Sequence, residues 1–267
     1  MFSLCYLLCA LATAAEESTE VQRESERRIV EVARRYEFSA DEERQTKFEL
    51  HAKPLLAYSN PIRGDVFGNL FVWTRDARPE VLAAIFDFRS EDKFDTELHV
   101  LARPDVHAFR DGRLFLNPRQ AGIAFRPLLS ERMPDKTATG RTRQMRELAR
   151  AFSVHRKHPE QGEGEMRLLG QPLYRYASPS AKVLDGALFA FVEATDPEAF
   201  LLLEAVEGEN PHWRFACARM NLVEFSARFR GEEVWHVDAV SWDEIFDRHV
   251  PYAIIREKPN RGLVRTK

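Results

Sequence analysis

The sequence has little of what usually announces a protein's chemistry. Of three cysteines, Cys5 and Cys9 lie among the first fifteen residues, which leaves Cys217 alone in the rest of the chain. One thiol cannot close an intrachain disulfide, so stability has to come from a packed core, and some 250 residues can build one. An excess of one charge is also missing: 39 basic against 42 acidic side chains give a formal charge of -3, which argues against a polybasic nucleic-acid binder. After the N-terminus no apolar run approaches the roughly 20 residues of a membrane span. There is no Gly-rich phosphate loop, Gly-x-Ser-x-Gly elbow, His-Glu-x-x-His or Cys-x-x-Cys. The common signatures of nucleotide, serine-hydrolase and zinc chemistry are therefore absent; no metal ligand set is assigned and any cofactor is unknown.

What is present points to a folded, exported chain. The 19 Phe, 4 Trp and 6 Tyr residues carry more apolar area than a disordered chain would hold. Residues Met1 to Ala15 contain no charged side chain and end in Ala12-Thr13-Ala14-Ala15, the form of a secretory signal peptide with small residues at its cleavage site. Both Cys5 and Cys9 follow Leu, which does not suit a lipoprotein signal. Localisation is thus expected to be secreted or periplasmic. Cys217 alternates with Phe215 and Arg219 in an apolar segment, the setting of a buried structural thiol.

The chain also repeats itself. At an offset of 118, residues 48 to 86 match residues 166 to 204 at 10 of 39 positions, several times what unrelated segments share. Pro54/Pro172, Pro61/Pro179, Pro79/Pro197 and Gly68/Gly186 have fixed or special backbone geometry, so their common spacing implies common turns. Tyr58/Tyr176, Leu70/Leu188, Phe71/Phe189 and Glu80/Glu198 match as well. Upstream, Ile29, Val32, Ala33 and Tyr36 stand at i, i+3, i+4 and i+7, and Met145, Leu148, Ala149 and Phe152 repeat that stripe, predicting a helix at the start of each copy. Downstream, Phe109 to Phe115 and Phe229 to Trp235 both read as a turn between strands. The fold class expected is α+β, a tandem duplication of one N-terminal helix followed by a curved antiparallel meander of about six strands. Its divisions are 1–15 as signal, 16–136 as the first unit and 137–267 as the second.

Chemistry has one suggestive location. In Asp95-Thr96-Glu97-Leu98-His99, strand periodicity places Asp95, Glu97 and His99 on one face. Two carboxylates and an imidazole suit acid/base work or a divalent metal, with Glu97 and His99 as the candidate catalytic pair and Asp95 in support. An amphipathic edge strand with a solvated polar face gives the same pattern. Arg63, in Asn60-Pro61-Ile62-Arg63-Gly64, and Arg75 are candidate anion-binding groups. His155-Arg156-Lys157-His158 reads as the cationic exit of a helix, and the four tryptophans read as core.

The strings from Leu55 to Phe86, Gln171 to Leu203 and Ala218 to Asp243 resemble an uncharacterised family of predicted secreted bacterial proteins. That resemblance implies export and no activity. The expectation is an exported, non-enzymatic ligand-binding or scaffold protein whose partner is a small molecule, a glycan or another protein, with no nucleic acid and no transmembrane span in the mature chain. The alternative is a metal-dependent or acid/base hydrolase centred on Glu97 and His99.

Overall fold

The computed structural model describes residues 19–59, 65–101, 105–128 and 132–258. The expected signal segment and Arg63 lie outside them. No helix among the described residues is long and apolar enough to cross a membrane.

The first half begins with α1 (residues 19–33) and continues through β1 (Tyr36–Ser39), β2 (Glu49–Leu50), β3 (Leu56–Ser59), β4 (Val66–Arg75), β5 (Arg78–Phe88), β6 (Lys93–Val100), β7 (His107–Arg110) and β8 (Arg113–Leu116). A short strand, β9 (Arg126–Pro127), leads to the second half. That half runs α2 (Ala138–Arg150), β10 (Phe152–His158), β11 (Gly162–Leu168), β12 (Tyr174–Ser178), β13 (Val183–Glu193), β14 (Asp196–Val206), β15 (His212–Arg219), β16 (Glu224–Phe229) and β17 (Glu232–Val237), and β18 (Tyr252–Glu257) closes the chain. The α+β class holds, with curled antiparallel sheets in place of simple meanders.

Strand order in the second half is β17-β16-β10-β11-β13-β14-β15-β9, with β12 on β13. In the first half β8, β7 and β1 form one ribbon, and β2-β4-β5-β6-β18 a sheet with β3 on β4. A bridge between Ser39 and Lys47 and a 2.8 Å bond from Phe48 N to Phe38 O join the two. Pair for pair, the neighbours in the two halves correspond. The terminal strands cross over: β9, which follows the first half, pairs with β15 in the second, whereas β18, which follows the second, pairs with β6 in the first. Thr137 caps α2 by accepting from Gly140 N at 3.0 Å, and these two strands are exchanged between the halves.

Among the described residues each half has eight strands of its own, not about six. The additional ones are short or sit where the sequence suggested helix. Tyr36 and Phe152, fourth members of the helical stripes, are the first residues of β1 and β10. Residues 155–158 belong to β10, so the His-Arg-Lys-His run is strand and not a helix exit. The β4–β5 turn has no glycine: Asp76 and Ala77 both take positive φ, a mirror-type hairpin turn that hides the strand boundary in the sequence.

Burial explains the layering. One face of the first sheet, including Phe71, Trp73, Ala83 and Leu98, packs on Ile29, Val32 and Ala33 of α1. Phe189, Phe191, Leu201 and Cys217 in the second pack on Met145, Leu148 and Ala149 of α2. The opposite faces meet each other through Leu70, Val72 and Leu82 from one sheet and Leu188, Phe200 and Leu202 from the other. The order is helix, sheet, sheet, helix, a sandwich with its helices outside and not between the sheets. Trp73 and Trp213 are core, and Trp242 is exposed. Cys217 is buried, and burial pushes its thiol up to about 12, which removes it as a nucleophile.

Stopping the chain before Tyr252 is expected to lower the melting temperature and to strip hydrogen-exchange protection from β6, although the deletion lies at the far end of the sequence. Loss of protection confined to β16 and β17 would contradict the exchanged strand.

Candidate functional site

The two sheets diverge where β6 of the first half faces the start of β14 in the second, leaving a cavity of about 540 Å³. Each half carries the same local device. Tyr58 lies opposite Gly68 across β3 and β4, and Tyr176 lies opposite Gly186 across β12 and β13. A Cβ on either glycine would run into the ring, so the glycine is needed to seat the aromatic side chain. In the first half the Tyr58 ring meets Phe86 edge-on at 5.8 Å, and both line the cavity with Phe88.

Carboxylates from both halves complete the wall: Asp95 and Glu97 from β6, Glu193 from β13, Asp196 and Glu198 from β14. Asp95 is buried; its Oδ2 lies 3.4 Å from Arg256 Nε, and its Oδ1 has no hydrogen-bond partner. Tyr252 donates to Glu97 Oε2 at 3.4 Å and Asn221 Nδ2 to Glu198 Oε2 at 2.6 Å. Arg156 pairs with Glu193. Burial, followed by the charges of Glu198 and Asp196, holds the Glu97 carboxyl well above the usual range. Glu198 is pushed up to about 8 by burial and by Asp196, against the bond from Asn221 and the attraction of Arg156. Asp95 is raised chiefly by burial. A site that desolvates several carboxylates with few cations keeps some of them protonated at neutral pH.

The expected site residues therefore divide. Asp95, Glu97 and His99 do share one face of β6, but that face is neither an edge nor solvated: β18 covers the strand and the second sheet faces it. Asp95 and Glu97 reach the cavity; His99 does not line it. His99 Nδ1 lies 2.8 Å from Arg219 O, and its ring meets Tyr252 edge-on at 5.8 Å. Gly122 fits against the ring, where a Cβ would collide with it and with Val100 O. Burial lowers the His99 imidazole to about 4, so it is neutral at physiological pH, and Tyr252 touches both it and Glu97. Arg75 ends β4 at the opposite end of the junction from Gly68, roughly 20 Å away by strand rise. Asp196, Glu198, Asn221 and Arg256 were not singled out from the sequence. For Asp196 the sequence signal was its charge reversal over Arg78, and for Glu198 its identity with Glu80; Asn221 and Arg256 carried none.

At the opposite end of the junction, the residues equivalent by register form a closed cluster. Glu204 is fully buried, with Arg78 Nε at 2.7 Å, Arg214 Nε at 2.6 Å and Tyr176 OH at 3.0 Å. Both guanidinium groups lie over the Phe125 ring, at 4.6 and 4.8 Å. At this end Glu204 is fully paired within the chain.

Among the described residues no three His, Cys, Asp or Glu side chains are grouped to hold a metal ion. Fold and site together define a two-sheet sandwich with one open, carboxylate-walled junction and one closed one. No family model, curated protein or solved structure matches the chain.

The titrations have opposite signs. The unfolded chain releases the Glu198 proton near 4.5 while the folded state keeps it to about 8, so this group withdraws stability as pH rises through that window. His99 stays neutral in the folded state down to about 4, against 6.5 unfolded, so its contribution is lost as pH falls from 6.5 toward 4. Between pH 6.5 and 8 the Glu198 slope stands clear of the histidine. Over that range Glu198→Gln is expected to flatten the decline in stability measured by urea unfolding. Parallel curves for parent and variant would contradict the raised carboxyl.

Proposed function

We propose that this is an exported, non-enzymatic binding protein, formed by tandem duplication of a helix-led antiparallel sheet, whose small-molecule ligand seats in the open junction cavity. The duplication is supported by the corresponding strand pairings and by the Tyr58/Gly68 and Tyr176/Gly186 devices. Export rests on the apolar, uncharged character of residues 1–15. One observation carries the binding reading: of two register-equivalent junction ends, one is filled by its own side chains, whereas the other holds a cavity of about 540 Å³, within the size range of small-molecule sites.

A second reading is acid/base hydrolysis. It is favoured by the raised carboxyl of Glu97, since a protonated acid at neutral pH is what a proton donor needs. The partner in that reading would be another cavity carboxylate, because His99 is neutral, buried and behind Tyr252.

Val66 is buried at the cavity wall, so Val66→Trp is designed to occupy the space. Screening neutral, anionic and cationic small molecules by thermal shift on the full chain is expected to find a class that raises the parent's melting temperature by several degrees near 100-fold excess over Kd. The variant, folded by circular dichroism, is expected not to respond. No stabilising class, or equal shifts in both proteins, would overturn the binding reading. Turnover of chromogenic esters or glycosides that disappears in Glu97→Gln would replace it with the hydrolase.

A further inference from the structure

We infer that the occupant of the open junction is a small organic cation, an ammonium or guanidinium group on a compact apolar body, held between the Phe86 ring and the carboxylates of Asp95 and Asp196; this rests on the reading that the cavity is a ligand site. The argument comes from the two ends of one junction. In the closed end, Glu204 stands opposite Gly186 and Arg214. In the open end, Phe86 stands opposite Gly68 and Asp95. Phe86 thus occupies the place of Glu204, and Asp95 that of Arg214. The hairpin pairs Arg75–Arg78 and Glu193–Asp196 add the third exchange, Asp196 for Arg78. Every charge that closes one end is reversed or removed at the other. Where the closed end surrounds an anion with two guanidinium groups, the open end surrounds an aromatic ring with carboxylates.

Among the described residues, the cations near this wall leave Asp95 incompletely matched. Arg156 is taken by Glu193. Arg256 reaches Asp95 only at 3.4 Å, with its side chain 59% exposed and lying over Trp242 at 4.5 Å. Asp95 is 9% exposed, and its Oδ1 is buried without a hydrogen-bond partner, a cost that native structures seldom leave unmet. Among the described residues no Lys or Arg forms an ion pair with Glu97 or Glu198. An organic cation supplies what Asp95 lacks, an N–H donor for its Oδ1, and places positive charge over the ring face. An anion would be repelled wherever these carboxyls ionise, and a neutral ligand would bring no positive charge to draw the raised carboxyls into their ionised form. The enclosure between two sheets selects a free small molecule over a lysine or arginine of a protein chain.

The test is calorimetric titration of the full chain at low salt with benzylguanidine and agmatine, against benzyl alcohol as the neutral analogue, benzoate as the anion and CaCl2 as the metal. The cations are expected to bind at least about tenfold more tightly than benzyl alcohol, and to lose about tenfold in Asp95→Asn and in Asp196→Asn. Melting temperature without ligand checks that each variant folds, and Phe86→Leu, which removes the ring beneath the cation, serves where one does not. Benzyl alcohol, benzoate or calcium binding as well as the cations, in a manner blocked by Val66→Trp, would overturn the cation assignment and leave the cavity reading standing. Failure of every compound to bind would overturn both.

Discussion

The apolar layer between the two sheets is the constraint on which the rest depends. Aliphatic side chains and Phe200 from β4, β5, β13, β14 and β15 form most of it, and each large side chain buried there contributes roughly 1.5–3 kcal/mol. Because both faces of each central strand are buried, the helices have to lie outside, and the only places where the sheets can separate are the two ends of the layer. Polar residues on the inner faces of β5, β6, β14 and β15 therefore collect at those ends. The exchanged strands β9 and β18 reinforce the arrangement, since each half's outer central strand is paired by a segment that follows the other half.

The ends of the layer obey the same backbone geometry and opposite electrostatics. A buried carboxylate such as Glu204 is tolerable because two guanidinium groups and a hydroxyl reach it; burying it alone would be strongly unfavourable. The other end has not been closed in that way. Its carboxylates are met only by Tyr252, Asn221 and two arginines that are engaged near the rim, and burial raises Asp95, Glu97 and Glu198 above the usual carboxyl range. Raised carboxyl groups beside an aromatic floor are the mark of a site whose charge is completed by something else or used to move a proton.

Much of this was legible in the sequence, for reasons that can be named. The correspondence of the two halves was readable because residues with obligatory roles recur: Gly68 and Gly186 admit the rings of Tyr58 and Tyr176, and Ile29 and Met145 begin similar apolar helix stripes. The helix ends were misread because Tyr36 and Phe152 continue the helical spacing by one residue into a strand. The exchanged strands were invisible, since two residues of β9 carry no periodicity and the pairing of β18 with β6 joins positions some 155 residues apart. Asp95 and Glu97 were found through strand alternation. Their real partners were not, because Asp196 and Glu198 come from the other half and meet them only after the sheets pack. His99 illustrates the converse: its pattern suggested chemistry, and its environment makes it a neutral tie between β6 and the end of β15.

A crystal structure of the full chain grown with benzylguanidine tests the central claim most directly. The account predicts two sheets packed face to face with the helices outside, and the guanidinium over Phe86 with nitrogens about 2.8 Å from carboxylate oxygens of both halves. Sheets joined through their helices, or the compound seated elsewhere while the junction stays closed by its own side chains, would contradict it.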